Sequence, residues 1–454
     1  MNKYILLMLL LLGMAGLWAQ DEAFTGLQSI SLTEARELAL RQNSAYGAKE
    51  AAYNAARWGR TNAISTVLPS LSLSGSYIYM DPATSVQAGA QQISLNNDMR
   101  TISINLSQPL YLGGKAWQAY KMAVANEEMA KLGYSNQKYI LYNEVESKYL
   151  AALQLKVLYQ LSQQEVSSAR ENLEIARLKL DNGIISRADY LRFQSRLAGK
   201  EVSALQAATS LQLALQDLAN YIGSESLVMP SELPISNEST VIELLDSYNL
   251  ESSADLSRRL LQVAQSRNLN YQIMDKTVEL SQRAYKIAKG SFLPTLMLTG
   301  SRQYKENGID RYEFSASNQI MLNASLPILP GLGNYTAAKK AKEEARKTSL
   351  EAKTAIDGIK LGIEAGTLNF ISSAKQVKSA ELGLAYTEEL YSQMQERFRQ
   401  NMISGMELLD AELMLSSARM THTNAFYAYL KARSTLMQAL ALENNTELYT
   451  LIQN

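Results

Sequence analysis

The chain has no cysteine and one histidine, His422, among 454 residues. Disulfides, thiolate nucleophiles, cysteine zinc sites, iron–sulfur clusters and a lipid-bearing N-terminal cysteine are all excluded. Any imidazole chemistry would hang on His422 alone, which sits in a helical stretch with no second histidine or acidic partner beside it. No cofactor, no metal and no catalytic residue is therefore expected, and the chain reads as no enzyme, since it offers no nucleophile–base constellation. A basic excess is missing as well. Lys+Arg and Asp+Glu are 44 each, for a net charge of zero, which argues against a nucleic-acid partner. Gly113-Gly114-Lys115 lacks the earlier glycine and the following Ser or Thr of a phosphate loop and reads as a strand-to-helix turn.

Long apolar runs are scarce too. The only one is Ile5 to Leu12, preceded by Lys3 and followed by the small residues Ala15, Gly16 and Ala19, the pattern of a secretory signal peptide over 1–19. With no later run, the mature chain is expected either to be soluble outside the cytoplasm or to enter a membrane as a barrel. Proline is confined to eight positions, leaving 110–229 and 331–454 free of it. Such stretches, rich in Ala, Leu, Gln, Glu and Lys, suit long helices. Leu150, Leu153, Val157 and Leu161 recur at three- and four-residue steps, marking one buried stripe. A helix over 115–180 would reach roughly 100 Å.

What the chain does contain is an internal repeat. Val67-Leu68-Pro69-Ser70-Leu71 matches Phe292-Leu293-Pro294-Thr295-Leu296 at an offset of 225, and Ala39 and Asn43 match Ala264 and Asn268. Farther on the offset becomes 218 and holds, pairing Pro109 with Pro327, Gly113 with Gly331, Lys121 with Lys339, Ser186 with Ser404 and Asp189 with Glu407. The variable part lies between the prolines and is β in character. Leu71, Leu73, Tyr77 and Tyr79 alternate with serines, as Ile102, Ile104 and Leu106 alternate with Thr101, Ser103, Asn105 and Ser107. Leu296 and Leu298, then Ile320, Leu322, Ala324 and Leu326, repeat the pattern. One greasy and one small polar face fits a half-buried strand, and about ten residues is the length a tilted strand needs to cross a bilayer; the alternative, a soluble sandwich, needs more than four strands among this much helix. Four strands cannot close a barrel, which needs about eight, so more than one chain is required.

The expected division is a first repeat over 20–222, with strand pair 70–108, long helix 115–180 and helix 187–221. An inter-repeat linker and equatorial region at 223–250 precedes a second repeat over 251–443, with strand pair 295–326, long helix 335–400 and helix 405–443, and a tail at 444–454. Residues Leu32 to Thr66 and Arg187 to Tyr221 are expected as two helices of about 35 residues, stacked to match the long one. Tyr77, Tyr79, Tyr111, Tyr304 and Tyr312 are candidates for aromatic girdles.

Several stretches together resemble the TolC-type outer-membrane efflux proteins. They are Ser31-Leu32-Thr33-Glu34-Ala35 with Leu38-Ala39-Leu40 and Asn43, the Leu-Pro-Ser/Thr-Leu lead into each strand pair, Gln108-Pro109-Leu110 with Gly113-Gly114, and the turns Asn182-Gly183-Ile184-Ile185-Ser186 and Asn401-Met402-Ile403-Ser404. The resemblance covers nearly all of the mature chain, in order and in duplicate. It implies a mainly α fold with a β-barrel part: a homotrimer whose twelve-stranded transmembrane barrel, four strands per chain, continues into a periplasmic helical tunnel. It further implies the outer membrane of a Gram-negative bacterium, contact with outer-membrane lipid, a periplasmic adaptor and an inner-membrane transporter, and a passive exit duct for efflux or type I secretion. The alternative is a soluble periplasmic coiled-coil scaffold or adaptor.

The same resemblance places a closed periplasmic gate at the helix-to-helix turns and carries aperture acids onto Asp189, Glu407 and Asp410. A family tyrosine that ties the gate shut is Phe398 here, its arginine partner is Ile403, and Arg187, Arg397 or Arg399 could supply replacement links. Adaptor contact falls on Asn182, Gly183, Ile184 and Ile185 and on Asn401, Met402 and Ser404. Ser186-x-x-Asp189 and Ser404-x-x-Glu407 also have capping-box spacing, which by itself accounts for both acids.

Overall fold

The computed structural model describes residues 24, 26–83, 85–89, 91–233, 238–306, 313–328 and 332–453. The signal peptide over 1–19, Pro234, Gly331, Tyr312 and much of the loop before it lie outside the described residues. The chain divides into two compact units that do not follow the sequence repeats: Met1–Lys49, Tyr134–Leu269 and Asp357–Asn454 form one, and Glu50–Gly133 with Asn270–Ile356 form the other. Each unit draws on both halves of the duplication.

Helices dominate. Between strand β1 (Gln28–Ile30) and the first long strand lie α1 (Leu32–Gln42) and α2 (Ser44–Ser65). The single helix expected over Leu32 to Thr66 is therefore two, and Asn43 is the reason. Its amide closes α1 onto Ala39 O at 2.8 Å, while its Oδ1 accepts from the amides of Ala45 and Tyr46, opening α2. Its Nδ2 donates to Tyr221 O at 3.2 Å. The second repeat breaks at Asn268, between α6 (Leu250–Arg267) and α7 (Leu269–Lys289), with the same closure onto Ala264 O and an Nδ2 bond to Ala439 O at 2.7 Å. Both alanines are fully buried, so nothing larger fits beneath either break.

The long helices are α3 (Lys115–Asp181) and α8 (Leu332–Arg399), each followed by a 36-residue helix, α4 (Arg187–Ile222) and α9 (Gly405–Leu440). Helix α8 begins three residues earlier than expected and α9 ends three earlier, at Leu440, capped by Ala441, which takes the left-handed conformation that Gly223 takes after α4. No helix among the described residues is long and apolar enough to cross a membrane.

Residues 223–250, expected as the inter-repeat linker and equatorial region, carry structure. Strand β6 (Val228–Pro230) runs parallel to β1, and α5 (Glu238–Asp246) buries Val241, Ile242 and Leu245. The tail holds α10 (Asn445–Gln453), which buries Leu448 and Ile452. What fastens them in the first unit is a buried ion network. Arg433, 3% exposed, donates to Glu146 Oε1 at 3.0 Å and to Glu238 Oε1. Arg36 takes the other oxygen of Glu146 at 2.7 Å, and Tyr429 and Tyr449 donate to Glu238 at 3.0 and 2.6 Å. Burial, reinforced by Glu238, pushes both phenols up, so they remain donors. Burial works against the Arg433 charge, yet Glu238 and Glu146 outweigh it and raise its pKa.

Candidate functional site

The second unit holds one four-stranded antiparallel sheet in the order β2-β5-β7-β8, formed by β2 (Ser70–Tyr79), β5 (Asp98–Leu112), β7 (Thr295–Glu306) and β8 (Phe314–Ser325). A small hairpin of β3 (Ser85–Ala88) and β4 (Gln91–Ser94) sits between β2 and β5. Corresponding pairs keep one register in both repeats: Leu71 faces Leu106 as Leu296 faces Ala324, and Leu73 faces Ile104 as Leu298 faces Leu322. The two repeats join where β5 pairs with β7.

Register sorts the side chains into two faces. On one, Leu71, Leu106, Gly300 and Ile320 form a row, with Leu73, Ile104, Arg302 and Asn318 in the next. On the other, the rows are Ser72, Asn105, Ser301, Gln319 and Ser74, Ser103, Gln303, Ser317. The apolar face is bare, with Leu71, Leu73 and Ile320 at 72%, 73% and 84% exposure. Exposed leucines beside a face of serine and amides suit a wall between hydrocarbon and water. Among the described residues, both outer strands, β2 and β8, have no strand partner on one edge, along 10 and 12 residues.

At the strand-to-helix turn, Gly113 has φ +64° and a Cβ there would sit 2.4 Å from Gly290 O. Only glycine fits.

The helix-to-helix turns lie in the first unit and are built alike. Gly183 and Asn401 both take the left-handed conformation, at φ 70° and 61°. Ile184 N–H returns to Lys179 O and Met402 N–H to Arg397 O, each at 2.8 Å, the double closure of a Schellman turn. Ser186 and Ser404 then cap α4 and α9. At Ser404 the box is complete, because the longer Glu407 also accepts the Ser404 amide at 2.8 Å. At Ser186 the shorter Asp189 accepts from the serine hydroxyl at 2.7 Å, as Glu407 does at Ser404, but not from the serine amide, and pairs with Arg192 at 3.4 Å. Hydrogen bonds from the Ser404 amide and hydroxyl lower the Glu407 pKa.

Beneath the turns lies a small core of Ala176, Phe193, Phe398 and Leu408, with ring centroids of Phe193 and Phe398 5.5 Å apart. Phe398 is 1% exposed. Its side chain is spent on this core, and Ile403 packs against it. Lys179 completes the arrangement: its ammonium donates to Phe398 O at 2.6 Å and to Asn401 Oδ1, 4.6 Å above the Phe398 ring, and burial lowers its pKa. Asn401 thus supplies both a left-handed turn and an acceptor that Gly183 has no side chain to offer. Deeper, Tyr391 meets Ser168 and Asn172, Arg196 meets Glu412 at 2.9 Å, and Lys200 meets Glu165 at 2.6 Å.

Of the expected gate residues, Arg187 and Asp410 are exposed and, among the described residues, make no ion pair, nor does Arg397; Arg399 pairs with Glu171 at 2.7 Å. Within one chain the acids Asp189, Glu407 and Asp410 form no carboxylate cluster among the described residues. Asn182, Gly183, Ile184, Asn401, Met402 and Ser404 are exposed and Ile185 half-buried. Reading the sequence missed Lys179, although a lysine at the spacing of Asn172 and Ala176, on a stripe that ends in the turn, was the signal.

A family model described as "Outer membrane efflux protein" matches residues 35–224 and 260–442. The chain belongs to this family. It is 22% identical over 437 residues to the alkaline protease secretion protein AprF of Pseudomonas aeruginosa, covering 95% of this chain and 87% of that protein. To the outer membrane protein TolC of Vibrio cholerae it is 21% identical, covering 84% and 83%. Its fold is that of CusC, with TM-score 0.78 at 15% identity over 92% and 93% of the two chains, and of the Vibrio cholerae outer membrane protein VceC, with TM-score 0.76 at 15% identity over 90% and 95%. Membership makes this an outer-membrane efflux or secretion channel of the Gram-negative envelope, and leaves the soluble-scaffold alternative without support.

Proposed function

We propose that three copies of this outer membrane efflux protein close a twelve-stranded barrel and continue it as a helical tunnel. The duct conducts passively between the periplasm and the exterior, is gated at the helix-to-helix turns and performs no catalysis. The observation that carries this reading is the sheet with an apolar face, a polar face and two open edges. Long unpaired edges in a native protein call for partners. The apolar rows meet outer-membrane lipid, and the serine and amide rows line the lumen.

The duplication supports a specific seam. Under the repeat, β5 corresponds to β8 and β7 to β2, so β8 meets the next chain's β2 as β5 meets β7 inside one chain. Leu106 faces Gly300; the equivalent seam pair is Ala324 with Gly75. No cysteine exists to interfere, and a Cβ at Gly75 meets nothing within 4 Å. The double variant G75C/A324C is expected to form disulfide-linked dimers and trimers on oxidation, whereas G75C/L326C, out of register, links poorly. Absence of interchain links in G75C/A324C, or equal linking in G75C/L326C, sinks the seam.

The tip reading assigns Asp189, Glu407 and Asp410 to a ring of acids around the closed aperture, with a periplasmic adaptor gripping residues 182–186 and 400–404 and an inner-membrane transporter behind it. Like charges gathered in one pore favour cations. In planar bilayers D189N/E407Q/D410N is expected to lose cation selectivity and divalent block. Unchanged selectivity would return these acids to helix capping alone.

A further inference from the structure

The net charge of zero conceals a strong segregation in the second unit. The helical segments adjoining the four long strands, residues 55–66, 115–126, 280–294 and 332–342, hold ten lysines and arginines and no aspartate or glutamate. Acids resume just beyond them, at Glu127 and Glu128 after α3 begins and at Glu343 and Glu344 after α8 begins. Among the described residues, ion pairs reach only two of these ten cations: Arg60 joins Glu127 at 3.0 Å and Arg283 joins Glu279 at 3.1 Å.

Aromatic side chains are set among the lysines in a repeated way. Trp117 in the first turn of α3 is 58% exposed and carries the Lys121 ammonium 4.9 Å from its ring. Tyr335 in the first turn of α8, its counterpart at the offset of 218, is 54% exposed and carries Lys339 at 5.5 Å. Helix side chains lean toward the N-terminus, which in α3 and α8 is the end joined to the strands. Both ammonium groups are thus directed toward the strand side. A bilayer's headgroup layer is about 5–7 Å deep on each side of its hydrocarbon, so a first helical turn leaving a membrane strand falls within or just below it.

We propose that this collar binds the anionic headgroups of phospholipid in the membrane leaflet facing the helices. Trp117 and Tyr335 seat in the interfacial layer, and Lys121 and Lys339 contact lipid phosphate. The proposal rests on the strands being the membrane-crossing elements. Charge complementarity and continuity with the apolar strand face select lipid as the occupant.

The test measures lipid retained by the full-length, detergent-purified assembly, by native mass spectrometry with phosphatidylglycerol or phosphatidylcholine added, alongside conductance in planar bilayers. Wild type is expected to retain phosphatidylglycerol in preference. K121Q/K339Q should lower that preference about 25-fold, at about fivefold per juxtamembrane lysine, while conducting normally. W117A/Y335A should weaken retention of both lipids alike. A conducting wild type without lipid preference, or a K121Q/K339Q variant that keeps it, overturns the collar and leaves the channel reading standing. Loss of both conductance and lipid retention in wild type overturns both.

Discussion

Replacing Arg433 with methionine keeps length and packing but removes the cation shared by two buried carboxylates. Glu146 keeps Arg36 at 2.7 Å and Ser434 at 2.9 Å. Glu238 is left with the two phenols and no cation. Breaking one side of a buried pair costs about 3–5 kcal/mol, and here it falls on the helix that Glu238 begins. At 3 kcal/mol, amides of α5 and α10 should exchange with deuterium on the order of a hundredfold faster than in wild type, since each 1.4 kcal/mol is about tenfold. Adding E238Q should recover most of the protection at pH 7. Unchanged exchange in R433M, or no recovery with E238Q, would refute the claim that this network fastens the segment between the repeats.

Three further outcomes are expected. K179M removes two hydrogen bonds from a charged donor, worth about 1.5–3 kcal/mol each before the relief of unburying the charge; amides 400–404 should exchange at least tenfold faster, with α5 unaffected. The lowered Glu407 pKa makes its cap fully effective above the ordinary glutamate range and lost as pH falls through the folded value, so thermal stability should fall on acidification and E407Q should remove part of that dependence. At the strand-to-helix turn, G113A meets Gly290 O as well as a left-handed backbone, whereas G114A meets only the backbone penalty of about 1–2 kcal/mol. G113A should therefore lower the yield of assembled protein far more than G114A.

The parts legible in the sequence were those written twice or in a period. Alternation marked Leu71 to Tyr79 and Ile102 to Leu106 as strands because each strand has one wet and one greasy face. The common offset marked Gly183 and Asn401 as one turn in two copies. What escaped was written once and across long separations. Arg433 finds Glu146 and Glu238 at 287 and 195 residues, distances at which no local pattern survives. Asn43 and Asn268 were visible as matched residues, but that one side chain both ends a helix and starts the next depends on backbone geometry. Phe398 was assigned by analogy to an aperture. In the structure it packs among Phe193, Ala176 and Leu408 in the core below the turn, a set of contacts no local pattern marks.

The junction between β5 and β7 bears on how such a chain arose. A half-length ancestor with one strand pair would offer the same two edges, and six identical copies could close the ring proposed here for three duplicated chains. Joining two copies in one polypeptide freed them to differ. Lys179 opposite Arg397, Asn401 opposite Gly183 and Ala441 opposite Gly223 are places where the halves differ, so the tie between Lys179 and Asn401 belongs to one half and has no counterpart that identical halves could share.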